Sequence, residues 1–413
     1  MPVDLPALDL QKPEPKPPRA IVWFVLFVLV MSAGALIAVL TWPKGEPTQT
    51  AWFWISVLAL PALAWSLAFG LRLHYYDEQT QRLAAERAVR SEDRQAALLF
   101  ASEPLAVLGY AYLTQRGTAS IAGKMAKGEY TLSAKTSHAG TEAIRHTALD
   151  LKEDDQDPGR HRACFKALIK QIEGAVSAIP NRIPFSVRLH LPGDSTQQQL
   201  LDTWQSCWAA QKLRPVQAQL LSSNKGMMAL DEWLDIRGGP SLERATLFVS
   251  VQLHDNPPQS SAEAAVAVLL AWAPLAERYA LPILALSHRP VEVQEPSALD
   301  AAVSKVLQWG ESTPADISDL WQAGLSSMEK GALAQAASNL KLRVSETTGL
   351  TGVHDVDHAI GNPGVCAGWL AVALAIEHAV QTGAPQLIAS HEEHLRLAVC
   401  RPSRAQTQSA SHA

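Results

Sequence analysis

The residues best suited to chemistry lie in a glycine-bearing turn near the C-terminal end of the chain. Residues 355–385 read DVDHAIGNPGVCAGWLAVALAIEHAVQTGAP, so a short polar segment runs directly into an apolar run that favours a packed helix. Such a turn commonly builds an anion pocket, because the first N–H groups of a helix have no partner within the helix. We call residues 361–366 the glycine turn. Its candidate functional residues are Gly361, Asn362, Pro363, Gly364 and Cys366.

Two pairs of histidines have spacings that metal ligands also use. His354 and His358 are four apart in HDVDH and would share one face of a helix, and His391 and His394 follow in HEEHLRLA. The first pair lacks the glutamate of an HExxH motif and a third ligand nearby. A polar loop that enters a glycine turn explains these histidines better than a metal site does, because such short matches are often false. We therefore expect solvated loop residues, with no metal and no cofactor.

Two uncharged apolar stretches occupy the front of the 413-residue chain, at residues 21–40 and 51–70. Each has the length of about 20 residues that a helix needs to cross a bilayer. Trp52 and Trp54 stand where interfacial aromatic residues belong, and Pro61 is a candidate kink. A cleaved signal peptide is the competing interpretation of the first stretch, but its apolar core is too long and a second span follows it. We expect a transmembrane hairpin within residues 21–72.

Basic residues near the ends of the spans predict the orientation of this hairpin. The connecting loop carries only Lys44, whereas the two flanks are richer, with Lys12, Lys16, Arg19, Arg72, Arg82, Arg87 and Arg90. Because basic flanks stay on the cytoplasmic side, both termini are expected there. Four cysteines without CxxC spacing are then free thiols in a reducing compartment. The net charge of −5 gives no basic excess, so nucleic acid is not an expected partner.

Beyond the hairpin, the chain alternates short apolar runs with longer amphipathic ones. Proline-rich residues 1–20 and polar residues 403–413 read as disordered tails, and residues 73–99 as a helical stalk. The runs PLAVLGYAYL, PFSVRLHL, PVQAQLL, ATLFVSVQL and LPILALS have strand length and composition. Residues 163–179, 197–211 and 261–279 have helical spacing, and Ser312 and Thr313 favour a helix start. Alternating strands and helices predict an α/β body.

The order of these segments resembles the ketosynthases and thiolases. LAVLGYAYLTQRGTASIAGKMAKGEYTL is similar to the opening strand, turn and helix of that family. SAEAAVAVLLAWAPLAERYALPILA is similar to its GEGAAVLVLE segment, STPADISDLWQAG to the approach to its AHGTGT histidine, and the glycine turn to its GHPxGxSG or GHTxGAAG turn. The resemblance implies a layered αβαβα body, with one half at residues 100–290 and the other at residues 291–402.

The family's chemistry implies a cysteine nucleophile at a helix N-terminus, assisted by two proton-handling residues. The histidine of the last turn is replaced by Asn362, and Ala323 stands at the position of the AHGTGT base. Residues 214–253, where the nucleophile is expected, contain no cysteine. Cys164 belongs to an early helix and Cys207 to an amphipathic one. We therefore expect a degenerate scaffold without enzymatic activity, in which the glycine turn is vestigial.

The membrane hairpin, the degenerate body and the phrases VQLHDNPPQSSAEAAVAVLLAW and VHDVDHAIGNPGVCAGWLAVALAIEHA resemble the lipase-adaptor family of bacterial type VI secretion. That resemblance implies an adaptor, anchored in the bacterial inner membrane, that binds a phospholipase effector and helps load it on the spike protein. Expected partners are this effector, the spike protein and the lipid bilayer, with a homodimer suggested by the fold. Two alternatives remain: a membrane-tethered acyl-thioester enzyme that uses Asn362 and a cysteine, and a structural membrane scaffold without a client.

Overall fold

The computed structural model describes residues 5–6, 14–136, 143–151, 159–193 and 196–403. These residues belong to two compact units, residues 2–99 and a body that begins at Phe100. Most of the two tails expected to be disordered, including residues 404–413, lies outside the described residues.

The N-terminal unit is a pair of apolar helices. Helix α1 is Ala20–Thr41, and the second run consists of α2 (Ala51–Trp54), a π-helical turn (Ile55–Ala59) and α3 (Leu60–Ser102). The widened turn precedes Pro61, which lacks an N–H group for the normal helical ladder. Gly34 packs against this proline so closely that a Cβ on Gly34 would lie 2.2 Å from Pro61 Cγ. Both helical runs are long and apolar enough to cross a membrane, and the stalk expected at residues 73–99 continues α3.

The body begins with five principal strands that form the first half of one continuous sheet. Its elements are β1 (Leu105–Leu113), α4 (Ile121–Ala126), β2 (Ala134–Thr136), β3 (Ala143–Thr147), α5 (Arg160–Ser177), β4 (Phe185–His190), α6 (Gln197–Ala210), β5 (Ala218–Leu221), α7 (Met228–Leu234), β6 (Ala245–Gln252), β7 (Ser261–Ala262), β8 (Ala264–Trp272) and α8 (Ala273–Arg278). The spatial order is β5-β4-β6-β8-β1, and β8 is antiparallel to both of its neighbours. Strands β2, β3 and β7 form a small separate sheet.

The second half repeats this order. Its elements are β9 (Ala285–Ser287), β10 (Val291–Val293), α9 (Leu299–Trp309), β11 (Asp319–Ala323), α10 (Ser327–Asn339), α11 (Arg343–Glu346), β12 (Val353–Asp355), α12 (Val356–Ile360), α13 (Ala367–Thr382), β13 (Gln386–His391) and β14 (Leu395–Pro402). The principal strands of this half are, in chain order, β9, β11, β12, β13 and β14. They lie side by side in the order β12-β11-β13-β14-β9, which is third, second, fourth, fifth and first along the chain. The first half has the same 3-2-4-5-1 order. The fifth strand is again antiparallel, and β1 pairs with β9 to join the halves. The second repeat thus begins at β9, before the boundary at residue 291 expected from the sequence.

Helix α13 is the middle layer of the body. Every residue from Ala367 to Ala379 is buried. The helix packs on β1 and β8 from the first half and on β11, β13 and β14 from the second. Helices α5 and α6 cover the other side of the first half, and α9, with α10 packed against it, covers the second. This confirms the expected αβαβα layering, and it explains why the apolar run 364–382, although long enough to span a bilayer, is 78% buried within the body.

Two of the expected helices are wrong. Residues 261–279 form β7, β8 and only a short helix, α8, because the Ala/Val/Leu run of β8 is buried on both faces between β1 and β6. A continuous apolar run of this kind does not distinguish a central strand from a buried helix by periodicity. Thr313 does start a capping box, but the helix is a single 3₁₀ turn, Pro314–Asp316, before β11. The helices expected at residues 163–179 and 197–211 are confirmed as α5 and α6.

Candidate functional site

The glycine turn connects α12 to α13, and its backbone requires two of its glycines. Gly361 has φ +99° and Gly364 has φ +56°, the left-handed region that disfavours residues with a side chain. A Cβ on Gly361 would also lie 2.4 Å from the carbonyl oxygen of Ser261. Asn362 is exposed, and its side-chain oxygen accepts the N–H of Gly364 at 2.8 Å. Asn362 thus holds the turn itself and does not cap α13.

The first half of the body anchors this turn. Asn362 donates its N–H to Ser260 at 2.8 Å and accepts the N–H of Ala262 at 2.8 Å. At the end of β6, Ser250 Oγ donates to the carbonyl of Val365 at 3.1 Å. These bonds join the glycine turn, which belongs to the second half, to β6 and β7 of the first half. The turn is therefore a fixed junction between the two halves.

Cys366 is the nucleophile candidate within the turn, and its environment disfavours the thiolate. The side chain is fully buried, and Sγ donates to the carbonyl of Ala264 at 3.3 Å. Burial raises the pKa of the Cys366 thiol to about 12, although hydrogen bonds with the Ser250 side chain and the Gln252 backbone oppose this rise. The thiol is therefore protonated near neutral pH. The thiols of Cys164, Cys207 and Cys400 are also buried, and burial raises the pKa of Cys164 as well.

The start of α13 is the meeting point of the loops that the fold brings together. A Cβ on Gly368 would lie 2.7 Å from Glu392 Oε1, 3.1 Å from Ser390 Oγ and 3.2 Å from Met227 Cγ. A Cβ on Gly324, which follows β11, would lie 2.8 Å from the carbonyl oxygen of His391 and 3.5 Å from the methyl group of Ala367. We call this the α13 junction, defined by Gly226, Met227, Gly324, Gly368, Glu392 and Arg396.

Met227 lies within residues 214–253, the interval in which the resemblance to the ketosynthases and thiolases implies a nucleophile. It immediately precedes α7, the helix that follows the third strand of the first half, just as the glycine turn follows the third strand of the second half. Its side chain is fully buried against Gly368. A thioether carries no acidic proton and packs as an apolar side chain, so this residue supplies volume and not a nucleophile.

A buried ion pair lies beside Met227. The guanidinium of Arg396, 2% exposed, contacts the carboxylate of Glu392, the carbonyl of Asn224 and, at 3.3 Å, the carboxylate of Glu292. Burial raises the pKa of the Glu392 carboxyl to about 7, against the lowering effect of Arg396. Gly226 leaves room for this carboxylate, since a Cβ there would overlap it. Sequence reasoning missed this network, because Glu392 and Arg396 gain their partners only when β14 meets the loop after β5.

Ala323, at the position where the resemblance implies a catalytic base, has no side chain that can accept a proton. Ala323 ends β11 with a buried methyl group, and Gly324 donates its N–H to the carboxylate of Asp357 at 2.9 and 3.1 Å. Burial raises the pKa of Asp357 to about 6, although this N–H bond and the charge of Lys330 oppose the rise. The carboxylate fixes the turn after β11.

The histidines that the sequence pairs are separated in space. His358 is exposed on α12, whereas His354 is buried on β12, so the solvated-loop interpretation is wrong for His354. His354 donates Nε2–H to Asp319 Oδ1 at 2.8 Å, and His378 Nε2 lies 3.3 Å from the same oxygen. Burial alone would raise the pKa of Asp319, but hydrogen bonds from both histidines and Ser318 outweigh it and hold that pKa far below its usual range. His391 Nδ1 lies 2.6 Å from Glu329 Oε1.

Comparison with known proteins finds likeness in structure but not in sequence. No protein-family profile matches the chain, and no curated protein matches it. Among solved structures, the body is similar to an oxazolomycin ketosynthase domain from Streptomyces albus, with TM-score 0.52 and 13% identity over 74% of this chain and 96% of that one. It is similar to a ketosynthase from module 6 of the bacillaene synthase of Bacillus subtilis, with TM-score 0.54 and 11% identity over 73% and 71%. A β-ketoacyl synthase from Burkholderia phymatum gives TM-score 0.51 and 10% identity over 73% and 100%. At such identities the likeness concerns the fold alone, and the body of this chain has the thiolase/ketosynthase-like fold.

Proposed function

We propose that this protein is an inner-membrane-anchored adaptor whose cytoplasmic body binds a phospholipase effector and helps load it on the type VI secretion spike. The observation that carries the proposal is Met227, which is fully buried, packs against Gly368 and lies in the interval where the resemblance implies a nucleophile. The thioether of Met227, the methyl group of Ala323 and the turn-forming amide of Asn362 supply no nucleophile. The fold keeps its shape without one. Function resides in sites and not in folds, so a binding role fits this body better than catalysis.

The α13 junction supports the same proposal through its packing. The space beside the start of α13 holds the Met227 side chain and the ion pair of Glu392 with Arg396. Removal of one partner from a buried ion pair strongly destabilises a protein, because the other charge is left without compensation. The junction therefore serves as a rigid link between the halves. Such a link suits a body that presents its outer surface to partners.

The N-terminal helices support a membrane location for the proposed adaptor. Helix α1 and the run from Ala51 to Ser102 are long and apolar enough to span a bilayer. The distribution of basic residues around them favours cytoplasmic termini. Soluble condensing enzymes have no need of such an anchor, whereas an adaptor gains from being held where the secretion machinery assembles.

The second candidate, a membrane-tethered acyl-thioester enzyme, is favoured by the fold and by the presence of Cys366 in the glycine turn. Its chemistry needs a thiolate, and the buried Cys366 thiol has a raised pKa. An acyl-CoA or cerulenin-like probe distinguishes the two functions. The adaptor leaves the probe unincorporated, whereas covalent labelling that disappears in Cys366→Ser would establish the enzyme.

The experiment that tests the adaptor is affinity capture of the full chain, in detergent, from cells competent for type VI secretion. We expect the phospholipase effector and the spike protein to be recovered, and a deletion strain to retain the effector inside the cell. The matched control is a strain that carries the Cys366→Ser chain, which should recover both partners equally. Capture of neither partner, with secretion of the phospholipase unchanged in the deletion strain, would contradict the proposal and favour a scaffold without a client.

A further inference from the structure

A second cluster of chemically active side chains lies away from the α13 junction. Asp319 is the first residue of β11, His354 lies at the centre of β12, and His378 lies on α13. Their ligand atoms, Asp319 Oδ1 and one ring nitrogen from each histidine, all lie within 4.8 Å of one another. We propose that these three residues form a binding site for a divalent transition-metal ion of the zinc type.

The donor set matches the chemistry of such an ion. Two imidazole nitrogens and one carboxylate oxygen are ligands that Zn²⁺ accepts, and three protein ligands leave a fourth position for water. Tetrahedral coordination at zinc bond lengths places neighbouring ligand atoms about 3.3 Å apart. Asp319 Oδ1 lies 2.8 Å from His354 Nε2 and 3.3 Å from His378 Nε2. A shift of about half an ångström at His354 therefore brings its Nε2 to the tetrahedral separation from Asp319 Oδ1.

The surrounding residues hold the ligands in place. Ser318 Oγ donates to the second carboxylate oxygen of Asp319 at 2.7 Å, the kind of support that ligating carboxylates commonly have. The Trp321 ring packs against both imidazoles, with centroid distances of 4.5 Å to His354 and 5.5 Å to His378. Trp321 is itself fixed by a 3.0 Å hydrogen bond from its indole N–H to Gln386. The ligands thus project from two paired strands and the central helix, all of them rigid elements.

Access and affinity follow from burial. The Asp319 side chain is 14% exposed and those of His354 and His378 are 3% and 10% exposed, so water and an ion enter beside the carboxylate. His378 Nδ1 is buried without a hydrogen-bond partner among the described residues. A ligating histidine usually donates this second N–H to an acceptor. We therefore expect weaker binding than at a closed structural zinc site.

The proposed ion would join β11, β12 and α13 within the second half of the body, and this role is independent of the proposed adaptor function. Binding to the folded state alone raises the apparent stability of a protein. Zinc should therefore raise the melting temperature of the full chain. Because three ligands from distant parts of the sequence meet only after folding, the unfolded chain should bind much more weakly.

The test is a titration of the full chain, in detergent, after chelator treatment and removal of any affinity tag. We expect uptake of about one Co²⁺ per chain, with the visible absorption of a tetrahedral site, and displacement by Zn²⁺. Asp319→Asn, His354→Gln and His378→Gln should each weaken Co²⁺ binding at least tenfold and remove the effect of zinc on the melting temperature. His358→Gln, at an exposed histidine outside the cluster, should bind as the unaltered chain does.

If a variant fails to fold, the Co²⁺ spectrum of the unaltered chain decides the proposal. Absence of a tetrahedral Co²⁺ spectrum would overturn it, and so would the ultraviolet charge-transfer band of a thiolate-bound ion. Binding that persists undiminished in folded Asp319→Asn would overturn it as well, because that variant keeps the side-chain volume but loses the anionic ligand.

Discussion

The carboxylate of Glu377 on α13 accepts the hydroxyl hydrogen of Tyr112 on β1 at 2.8 Å, in the buried middle layer of the body. The same carboxylate accepts the N–H groups of Ser120 at 2.6 Å and Ala122 at 2.9 Å. A carboxylate on a mostly apolar helix thus accepts the N–H groups at the start of α4 that have no partner within that helix. The central helix thereby fixes the segment that follows the first strand.

The first prediction concerns this contact. Glu377→Ala leaves the Tyr112 hydroxyl, the buried N–H of Ala122 and the N–H of Ser120 without their acceptor, and we expect it to lower the free energy of unfolding by about 3 kcal/mol. Glu377→Gln keeps one acceptor oxygen and should cost less. Thermal unfolding of the detergent-solubilised chain measures both. Glu393→Ala, at an exposed neighbouring hairpin position, serves as the control, and equal melting temperatures for Glu377→Ala and this control would show that the contact contributes nothing.

The second prediction concerns the core position of α13. Leu374 is fully buried, so Leu374→Asp places an uncompensated charge between the two halves and should cost several kcal/mol. Met328→Asp is the matched control, because Met328 is 83% exposed on α10. We expect a large fall in melting temperature for the first variant and little change for the second. A wild-type melting temperature for Leu374→Asp would refute the placement of α13.

The third prediction is a pH dependence of stability due to Asp357. The folded pKa of about 6 exceeds the ordinary value of 3.8, so the contribution of this group is fully present below about pH 4 and is lost as pH rises through 6. A shift of this size corresponds to about 3 kcal/mol for a fully enclosed carboxyl, and partial exposure reduces it to about 2 kcal/mol. Asp357→Asn should therefore gain stability relative to the unaltered chain between pH 4 and pH 7. The exposed Asp255→Asn should show no such gain, and parallel pH profiles for Asp357→Asn and the unaltered chain would exclude this role.

The fourth prediction is the topology of the N-terminal helices. If the basic flanks set the orientation, a phosphatase reporter fused after Ala413 should be inactive and a fluorescent reporter at the same site should be active. Fusion of the same two reporters after Lys44, in the connecting loop, should give the reverse pattern. Phosphatase activity at Ala413 would place the body outside the cytoplasm and would remove the basis for effector loading.

The fifth prediction concerns the cysteines. Replacement of Cys164, Cys207, Cys366 or Cys400 singly by Ser or Ala should leave effector secretion intact, because each thiol is buried and fills space. Cys366→Ser is the informative variant, since a serine hydroxyl can still donate to the Ala264 carbonyl. Loss of secretion in a Cys366→Ser chain that folds, inserts and binds its partner would restore the enzyme hypothesis.

The sequence by itself determined the elements whose signal is local. The two apolar spans, the helices α5 and α6 and the strands β1, β4 and β6 follow from length, spacing and composition. The burial of α13 follows from a run of Ala, Leu, Val and Ile with little polar surface. The alternation of strands and helices indicated an α/β body, and the resemblance to the ketosynthases and thiolases implied the layered fold. The glycine turn was also visible, because its Gly and Pro residues dictate backbone conformation locally.

Only the tertiary structure decided what depends on distant partners. Strand β8 is a strand because β1 and β6 pair with it on both sides, which no local pattern records. His354 finds Asp319 and His378, and Arg396 finds Glu292 and the Asn224 carbonyl, across separations that sequence spacing does not encode. The physical reason is that desolvation, hydrogen bonding and ligand geometry are properties of a folded neighbourhood, whereas helical and strand periodicity are properties of a chain segment.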